Sequence, residues 1–262
     1  MIDIEIGILR PELALHMPAD QDTLPLVRQA VRSLGETVDA DVEALEDAEL
    51  AVTEACANAV EHAYDDQGGD VAVTLVPEDS LLRAGVADRG VGMSQSARAG
   101  ANGRGFGLPL IESIATRVEF QPGEGTHIRM DLPLGRSGGV AVDGLAPGIE
   151  PSERILRRLV AVVAAQRDMS TERVMEGLLL AELVARNALR YLIGDRVQVH
   201  IEGVGGGFEL RVGPLEAGGA SAVIADSEVP VVGSVVEKLA DESRTDYEEG
   251  VEHLALRVDP RG

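Results

Sequence analysis

A carboxylate, a carboxamide and an imidazole recur at four-residue intervals in this chain, as Glu54, Asn58 and His62. At 3.6 residues per turn, that spacing puts all three on one face of a helix. The Asn oxygen is a neutral ligand for a hard cation such as Mg2+, which keeps several waters and leans on substrate phosphates. A carboxylate one turn away can take a proton from an attacking hydroxyl or orient a water. Alone, Glu-x-x-x-Asn is equally the wet face of an ordinary amphipathic helix. His62 reads either as a phosphate-side contact or as a structural one.

Two glycine loops follow. In Asp88-Arg-Gly90-Val-Gly92, an Asp at a strand end can accept a hydrogen bond from an exocyclic amine such as that of adenine. The glycines beyond it let backbone approach a ligand closely. The bland alternative is a tight turn. In Gly103-Arg-Gly105-Phe-Gly107-Leu108, glycines ahead of a helix start expose N–H groups that bind phosphate, helped by the helix dipole. Arg104 could add a charge-assisted contact. A flexible linker would have a similar composition. The three signals stand in the right order, each at a strand or helix end. Together they describe a site for a nucleotide, a magnesium ion and a general base.

The elements that must position these residues are legible. Asp20 or Asp22 caps a helix running to about Leu34, with Leu24, Val27, Ala30, Val31 and Leu34 on one face and Gly35 as its stop. A second helix spans about Asp41 to His62, ended by Asp65-Asp-Gln-Gly-Gly69. Leu13 to His16, Val71 to Val76 and Leu81 to Ala87 read as strands, the last two joined through Pro77-Glu-Asp-Ser80. The segment 94–102 has a mobile composition. A helix over Leu108 to Ala115 precedes a hairpin of Val118–Gln121 and Thr126–Leu132 across Pro122-Gly-Glu-Gly125. Helices beside a mostly antiparallel sheet predict an α+β two-layer sandwich.

Composition narrows the function. The chain has 262 residues, 45% of them hydrophobic, enough for one large or two small domains with packed cores. Aromatics are 2% and Trp is absent, so Leu, Val, Ile and Ala must build those cores. A net charge of -22 argues against nucleic acid and anionic membranes as partners. The single Cys56 excludes an intrachain disulfide, fits a reducing compartment, and packs inside an apolar helix face. No basic segment leads into an apolar core at the N-terminus, and no apolar run is as long as a membrane span. A cytoplasmic location is therefore expected.

Residues 135–151, rich in Gly and Pro, read as a linker. Beyond it the element order repeats. Helices are expected over Glu153–Gln166 and Ser170–Leu192, strands over Val197–Ile201 and Phe208–Val212 around Gly203-Val-Gly-Gly-Gly207, a helix over Val231–Ala240, and a hairpin of Thr245–Tyr247 and His253–Val258. Leu50-Ala-Val-Thr-Glu54 matches Leu178-Leu-Leu-Ala-Glu182 at an offset of 128 (182 − 54). Leu110-Ile-Glu-Ser-Ile-Ala115 matches Val235-Val-Glu-Lys-Leu-Ala240 at 125 (235 − 110), as Glu124-Gly125 matches Glu249-Gly250. A near-constant offset points to a duplication.

Residues from about Leu13 to Leu132 resemble the ATP-binding domain of the GHKL superfamily, and within it the anti-sigma factor serine kinases of bacterial partner switching. The resemblance rests on Ala51-Val-Thr-Glu-Ala-Cys-Ala-Asn-Ala-Val-Glu-His-Ala-Tyr64, Asp88-Arg-Gly-Val-Gly-Met93, Gly103-Arg-Gly-Phe-Gly-Leu-Pro-Leu-Ile111 and Gly125-Thr126. It implies Glu54 as catalytic base, Asn58 as Mg2+ ligand and Asp88 as adenine reader. Gly90, Gly92, Met93, Gly103, Arg104, Gly105, Gly107 and Leu108 would frame the phosphates around a short lid, and Thr126 would support the adenine end. His62 stays in the candidate set.

The resemblance gives the domain reading: 1–134 as the ATP-binding domain, 135–151 as linker, 152–262 as a degenerate second copy of the GHKL (Bergerat) fold. There Arg186 and Arg190 stand at the offsets of Asn58 and His62. An arginine cannot ligate Mg2+. Asn187 lies about 100° around the helix and does not restore a ligand. The implied function is a protein serine/threonine kinase using ATP and Mg2+. It would phosphorylate a STAS-like anti-anti-sigma partner and sequester a sigma factor, with the second half acting as an intrachain pseudo-dimer partner or the chain forming a homodimer. The competing reading is an ATP-gated regulatory module without kinase activity. A sensor histidine kinase fits less well, because the helices after the linker carry no phosphoacceptor His.

Overall fold

The computed structural model describes residues 1–8, 10–64, 68–90, 107–121, 124–135, 149–167, 169–231 and 233–260. Contacts divide the chain into two units, 11–145 and 1–10 with 146–262. Strand β1 (Ile2–Gly7) therefore falls with the second unit.

In the first unit, β2 (Leu13–Pro18) leads into a single 3-10 turn, Gln21–Thr23, capped by the Asp20 carboxylate on Asp22 N–H. Helix α1 (Leu24–Thr37) follows, with Pro25 in its first turn, where a missing N–H is harmless. It runs past Gly35, the expected stop. Gly35 instead marks close helix packing: a Cβ there would lie 2.3 Å from Leu45 Cδ1. Helix α2 (Val42–His62) starts where the sequence places it, because the Asp41 carboxylate accepts the N–H groups of Glu43 and Ala44 at 3.0 and 3.3 Å.

Strands β3 (Asp70–Glu78) and β4 (Leu81–Asp88) form a hairpin. Its β3 arm takes in Pro77, which sequence reading assigned to the turn. Helix α3 (Gly107–Ile114), β5 (Arg117–Gln121) and β6 (His127–Pro133) complete the unit. The sheet order is β2-β3-β4-β6-β5, antiparallel throughout. Alternation sends Leu13, Leu15, Val73, Leu75, Ala84, Val86, Met130 and Leu132 into the core, and α1 and α2 contribute Val27, Val31, Leu34, Ala48, Val52 and Cys56. This is a mixed α/β unit built on an antiparallel sheet. Segments 65–67, 94–102 and 136–148, read above as helix end, mobile stretch and linker, lie outside the described residues.

The second unit has helices α4 (Ile149–Ala165) and α5 (Thr171–Ala188), the latter capped by the Ser170 hydroxyl on Arg173 N–H. Helix α4 takes in the last three residues of the expected linker, with Pro151 in its first turn, where proline is tolerated. Then come β7 (Arg196–Val204), β8 (Gly207–Leu215), α6 (Gly219–Ala225), the two-residue strands β9 (Glu228–Val229) and β10 (Gly233–Ser234), α7 (Val235–Leu239), β11 (Glu242–Glu248) and β12 (Val251–Val258). The helix expected from Val231 is cut to five residues. Val231 takes a left-handed φ of 74°, and the Ser234 hydroxyl caps the later start at Glu237 N–H.

The sheet order here is β1-β7-β8-β12-β11, again antiparallel. Thus the first strand of this sheet is residues 2–7, paired in register from Ile2↔Ile201 to Gly7↔Arg196. Residues 1–10, expected with the first domain, are grouped by their contacts with residues 146–262. The alternation Ile2, Ile4, Ile6 announces a strand but not its partner. Ile4 and Ile6 are buried in this second core, and the Asp3 carboxylate meets the His200 ring across the pair.

Candidate functional site

Helix α2 buries Ala48, Ala51, Val52, Ala55, Cys56 and Ala59 and turns Glu54 and Asn58 to a partly open side. Small residues on the buried face let the helix lie close to the sheet. Burial pushes the Cys56 thiol up to about 12, so it packs as an inert apolar group. The Asn58 carboxamide has a buried nitrogen with no hydrogen-bond partner among the described residues, as does the Thr53 hydroxyl. In Asn58 the unpaired atom is the amide donor, which can meet an acceptor but not a metal ion. His62 ends the helix, exposed, with its ring 3.9 Å from Glu61.

Asp88 is the last residue of β4 and is buried. Its Oδ1 accepts the backbone N–H groups of Gly90 at 2.9 Å and Thr126 at 3.1 Å, and its own N–H donates to the Thr126 carbonyl at 3.0 Å. These bonds fix the carboxylate's orientation. A carboxylate held this way suits an amine donor. Two glycines make the arrangement possible. A Cβ at Gly90 would lie 1.8 Å from the Ala63 carbonyl oxygen, and one at Gly125, whose φ is +76°, would lie 2.1 Å from the Asp88 carbonyl oxygen. The loop after Asp88 is therefore seated directly on the end of α2.

The structure thus brings Asp88, Gly90 and Thr126 together at the C-terminal end of the helix that carries Glu54 and Asn58. Gly107 opens α3, and Leu108 is half-buried in its first turn. Gly92, Met93, Gly103, Arg104 and Gly105 lie outside the described residues. Sequence reasoning gave no role to Tyr64, whose hydroxyl accepts the N–H of Arg89 at 2.8 Å. The signal was an aromatic residue two positions after a helix end and five before Gly69, in a chain with only three tyrosines.

In the second unit, Glu182 and Arg186 lie on α5 and Arg190 in the turn just beyond it, and salt bridges occupy all three. Arg186 reaches Glu153 through Nε at 2.8 Å and Nη2 at 3.1 Å, and Glu182 at 3.5 Å. Arg190 pairs with Asp226 at 2.8 Å, and Tyr191 donates to the same carboxylate at 3.0 Å. The Asn187 amide is buried and donates to the Val223 carbonyl. Glu252 accepts the N–H groups of Gly218 and Ala220 at 2.8 and 3.2 Å, and these bonds hold its carboxyl below the usual range.

Among the described residues, no cluster of three or more His, Cys, Asp or Glu could hold a metal. A site that takes one Asn oxygen and completes its shell with waters and phosphates has no such cluster. No helix among them is long and apolar enough to cross a membrane.

The histidine kinase-like ATPase domain model matches residues 17–132. The anti-sigma F factor of Clostridium acetobutylicum is 30% identical over 134 residues, covering 47% of this chain and 94% of that protein. The serine-protein kinase RsbW of Bacillus pumilus is 28% identical over 140 residues, covering 47% of this chain and 86% of that protein. RsbW of Halalkalibacterium halodurans is 27% identical over 158 residues, covering 55% and 95%.

Proposed function

This chain belongs to the histidine kinase-like ATPase domain family through residues 17–132, and from that premise we propose that it is an ATP-dependent protein serine kinase of the anti-sigma type. Relatives named as an anti-sigma factor and as serine-protein kinases support an ATP-binding, kinase-type regulatory role. The observation that carries the site assignment is Asp88: a buried carboxylate at the end of β4, held by the backbone N–H groups of Gly90 and Thr126.

In this reading Asp88 accepts the exocyclic amine of adenine, with Thr126 holding it in place. Gly90, Gly92, Met93, Gly103, Arg104, Gly105, Gly107 and Leu108 line the nucleotide. Asn58 would hold magnesium through its side-chain oxygen, and the ion would offset the charge of the phosphates. Glu54 takes the proton from a serine hydroxyl of the partner protein as that oxygen bonds to the terminal phosphorus of ATP, the bond to the β-phosphate oxygen breaks, and ADP leaves. The partner is a STAS-like anti-anti-sigma protein, and a sigma factor is held when that partner is absent. His62, exposed at the helix end, is a peripheral contact.

We further propose that the second unit is a degenerate copy that binds no ATP and serves as a built-in partner. Two features support this: the matching strand order of the two sheets, and the ion pairs on Glu182, Arg186 and Arg190. The location is cytoplasmic, with neither nucleic acid nor membrane as partner.

The test compares wild type with Glu54→Ala. The variant is expected to bind Mg-ATP within about threefold of wild type and to lose about a hundredfold or more in transfer to a STAS-type substrate, as for a removed general base. Undiminished transfer would exclude Glu54 as the base. The second reading, an ATP-gated module, is favoured by one fact: similarity to the kinases covers about half the chain. ATP binding by wild type, with no phosphoprotein formed from any STAS-type substrate, would select it.

A further inference from the structure

Sheet register and the position of Tyr64 carry an inference that rests on the nucleotide reading of Asp88. Strands β3 and β4 pair down to Val71↔Asp88, and continuing that register would set Asp70 opposite Arg89. A ladder bond from Arg89 N–H to the Asp70 carbonyl does not form there. Instead the Tyr64 hydroxyl stands between the two, donating to the Asp70 carbonyl at 2.6 Å and accepting the Arg89 N–H at 2.8 Å. Both backbone groups are satisfied through the bridging hydroxyl and not by each other. The ladder stops at Asp88, and Arg89 and Gly90 leave the sheet toward the Ala63 carbonyl.

The ring has its own seat. A Cβ at Gly69 would lie 2.1, 2.2 and 2.4 Å from Tyr64 Cε1, Cζ and Cδ1, so the absence of a side chain at Gly69 makes the room. Tyr64 is two residues beyond α2 and is partly buried. It therefore ties three things together: the end of the helix bearing Glu54 and Asn58, the start of β3, and the backbone immediately after Asp88.

We propose that Tyr64 is a positioning residue for nucleotide base recognition, a wedge that ends the β3–β4 ladder at Asp88 and so sets where that carboxylate and the Gly90 N–H stand. It touches no reacting atom and acts through Asp88. Closing the ladder by one more pair would draw Arg89 and Gly90 back into the sheet and change the approach of Asp88 to a base. The effect belongs to the base and not to the phosphates, so it appears as a change in preference between purines. Adenine presents an amine donor to Asp88, whereas guanine presents a carbonyl oxygen at the same position.

The experiment measures ATP and GTP affinity of the full chain by calorimetry for wild type, Tyr64→Phe and Gly69→Ala. Tyr64→Phe keeps the ring and removes the bridging oxygen. Gly69→Ala keeps the hydroxyl and pushes on the ring. Each is expected to weaken ATP by about three- to tenfold, the scale of one hydrogen bond, and to weaken GTP less, so that the ATP:GTP preference falls. Unchanged ATP affinity in both variants would overturn the proposal. Equal losses for ATP and GTP would overturn it too, since a general structural role has no reason to favour one base. If wild type itself binds no ATP, the nucleotide reading of Asp88 fails, and the wedge with it. ATP binding by wild type with indifferent variants removes the wedge alone.

Discussion

Asp88 and Thr126 are joined twice: Asp88 Oδ1 accepts the Thr126 N–H at 3.1 Å, and Asp88 N–H donates to the Thr126 carbonyl at 3.0 Å. The side-chain bond orients the carboxylate and the main-chain bond ties β4 to the start of β6. Asp88→Asn keeps the volume but replaces one carboxylate oxygen with a donor. It is expected to weaken ATP at least tenfold by calorimetry. Asp88→Ala also orphans the Gly90 and Thr126 N–H groups and should lower stability by about 1–3 kcal/mol in denaturant melts. Full ATP affinity in Asp88→Asn would count against the adenine assignment.

Arg186 tests the second unit. Restoring the residue type of the first unit with Arg186→Asn should not create nucleotide binding. Glu153, with a side chain only 11% exposed, then loses its bidentate partner. Arg186 itself is half-exposed, so solvent screening keeps the cost to roughly 0.5–1 kcal/mol. ATP-dependent stabilisation of Glu54 and Asp88 double variants carrying Arg186→Asn would contradict the assignment.

The N-terminal strand offers a test of which unit it serves. Ile4 is buried in β1 at 1% exposure. Ile4→Ala should destabilise by about 2–5 kcal/mol, the range for emptying a core aliphatic site. The loss should fall on the unit formed with residues 146–262 and leave ATP affinity within about twofold. Hydrogen exchange resolved by peptide can locate it. Loss of protection confined to 11–145 would refute the pairing.

His253 gives a pH signature. Burial, and then the nearby Arg211, hold its imidazole below the ordinary 6.5, and its Nδ1 is buried without a hydrogen bond. The folded chain therefore binds fewer protons on this group than the unfolded chain does. Its contribution is fully favourable above pH 6.5 and is lost as pH falls below that value through the folded pKa. Denaturant melts of wild type and His253→Gln should differ by a constant amount above pH 6.5. Below it, wild type should lose stability faster. Parallel curves down to pH 5 would remove His253 as the cause.

Much of this protein was written locally. The Asp41 cap, the apolar period of α1 and α2, and the alternation of β3, β4 and β6 are short-range signals, and all became the elements they describe. Glu54 and Asn58 share a helix face because α-helical geometry demands it. Misreadings came where a residue's role lay in another element. Gly35 looks like a helix stop in the sequence, but in the structure it makes room for Leu45 across the α1–α2 contact. Val231 was read as helical, but its left-handed backbone belongs to a loop.

The sequence by itself determined the helix face of Glu54 and Asn58, the Asp88 strand end, and the family to which residues 17–132 belong, because those depend on spacing within a dozen residues. The tertiary structure decided which sheet receives Ile2–Gly7, how Asp88 is oriented by Thr126, and how Tyr64 ends the β3–β4 ladder. Those pairings join residues up to about two hundred positions apart in the chain (Asp3 with His200). Strand propensity says that backbone groups need partners, but only the packing of the whole chain chooses them.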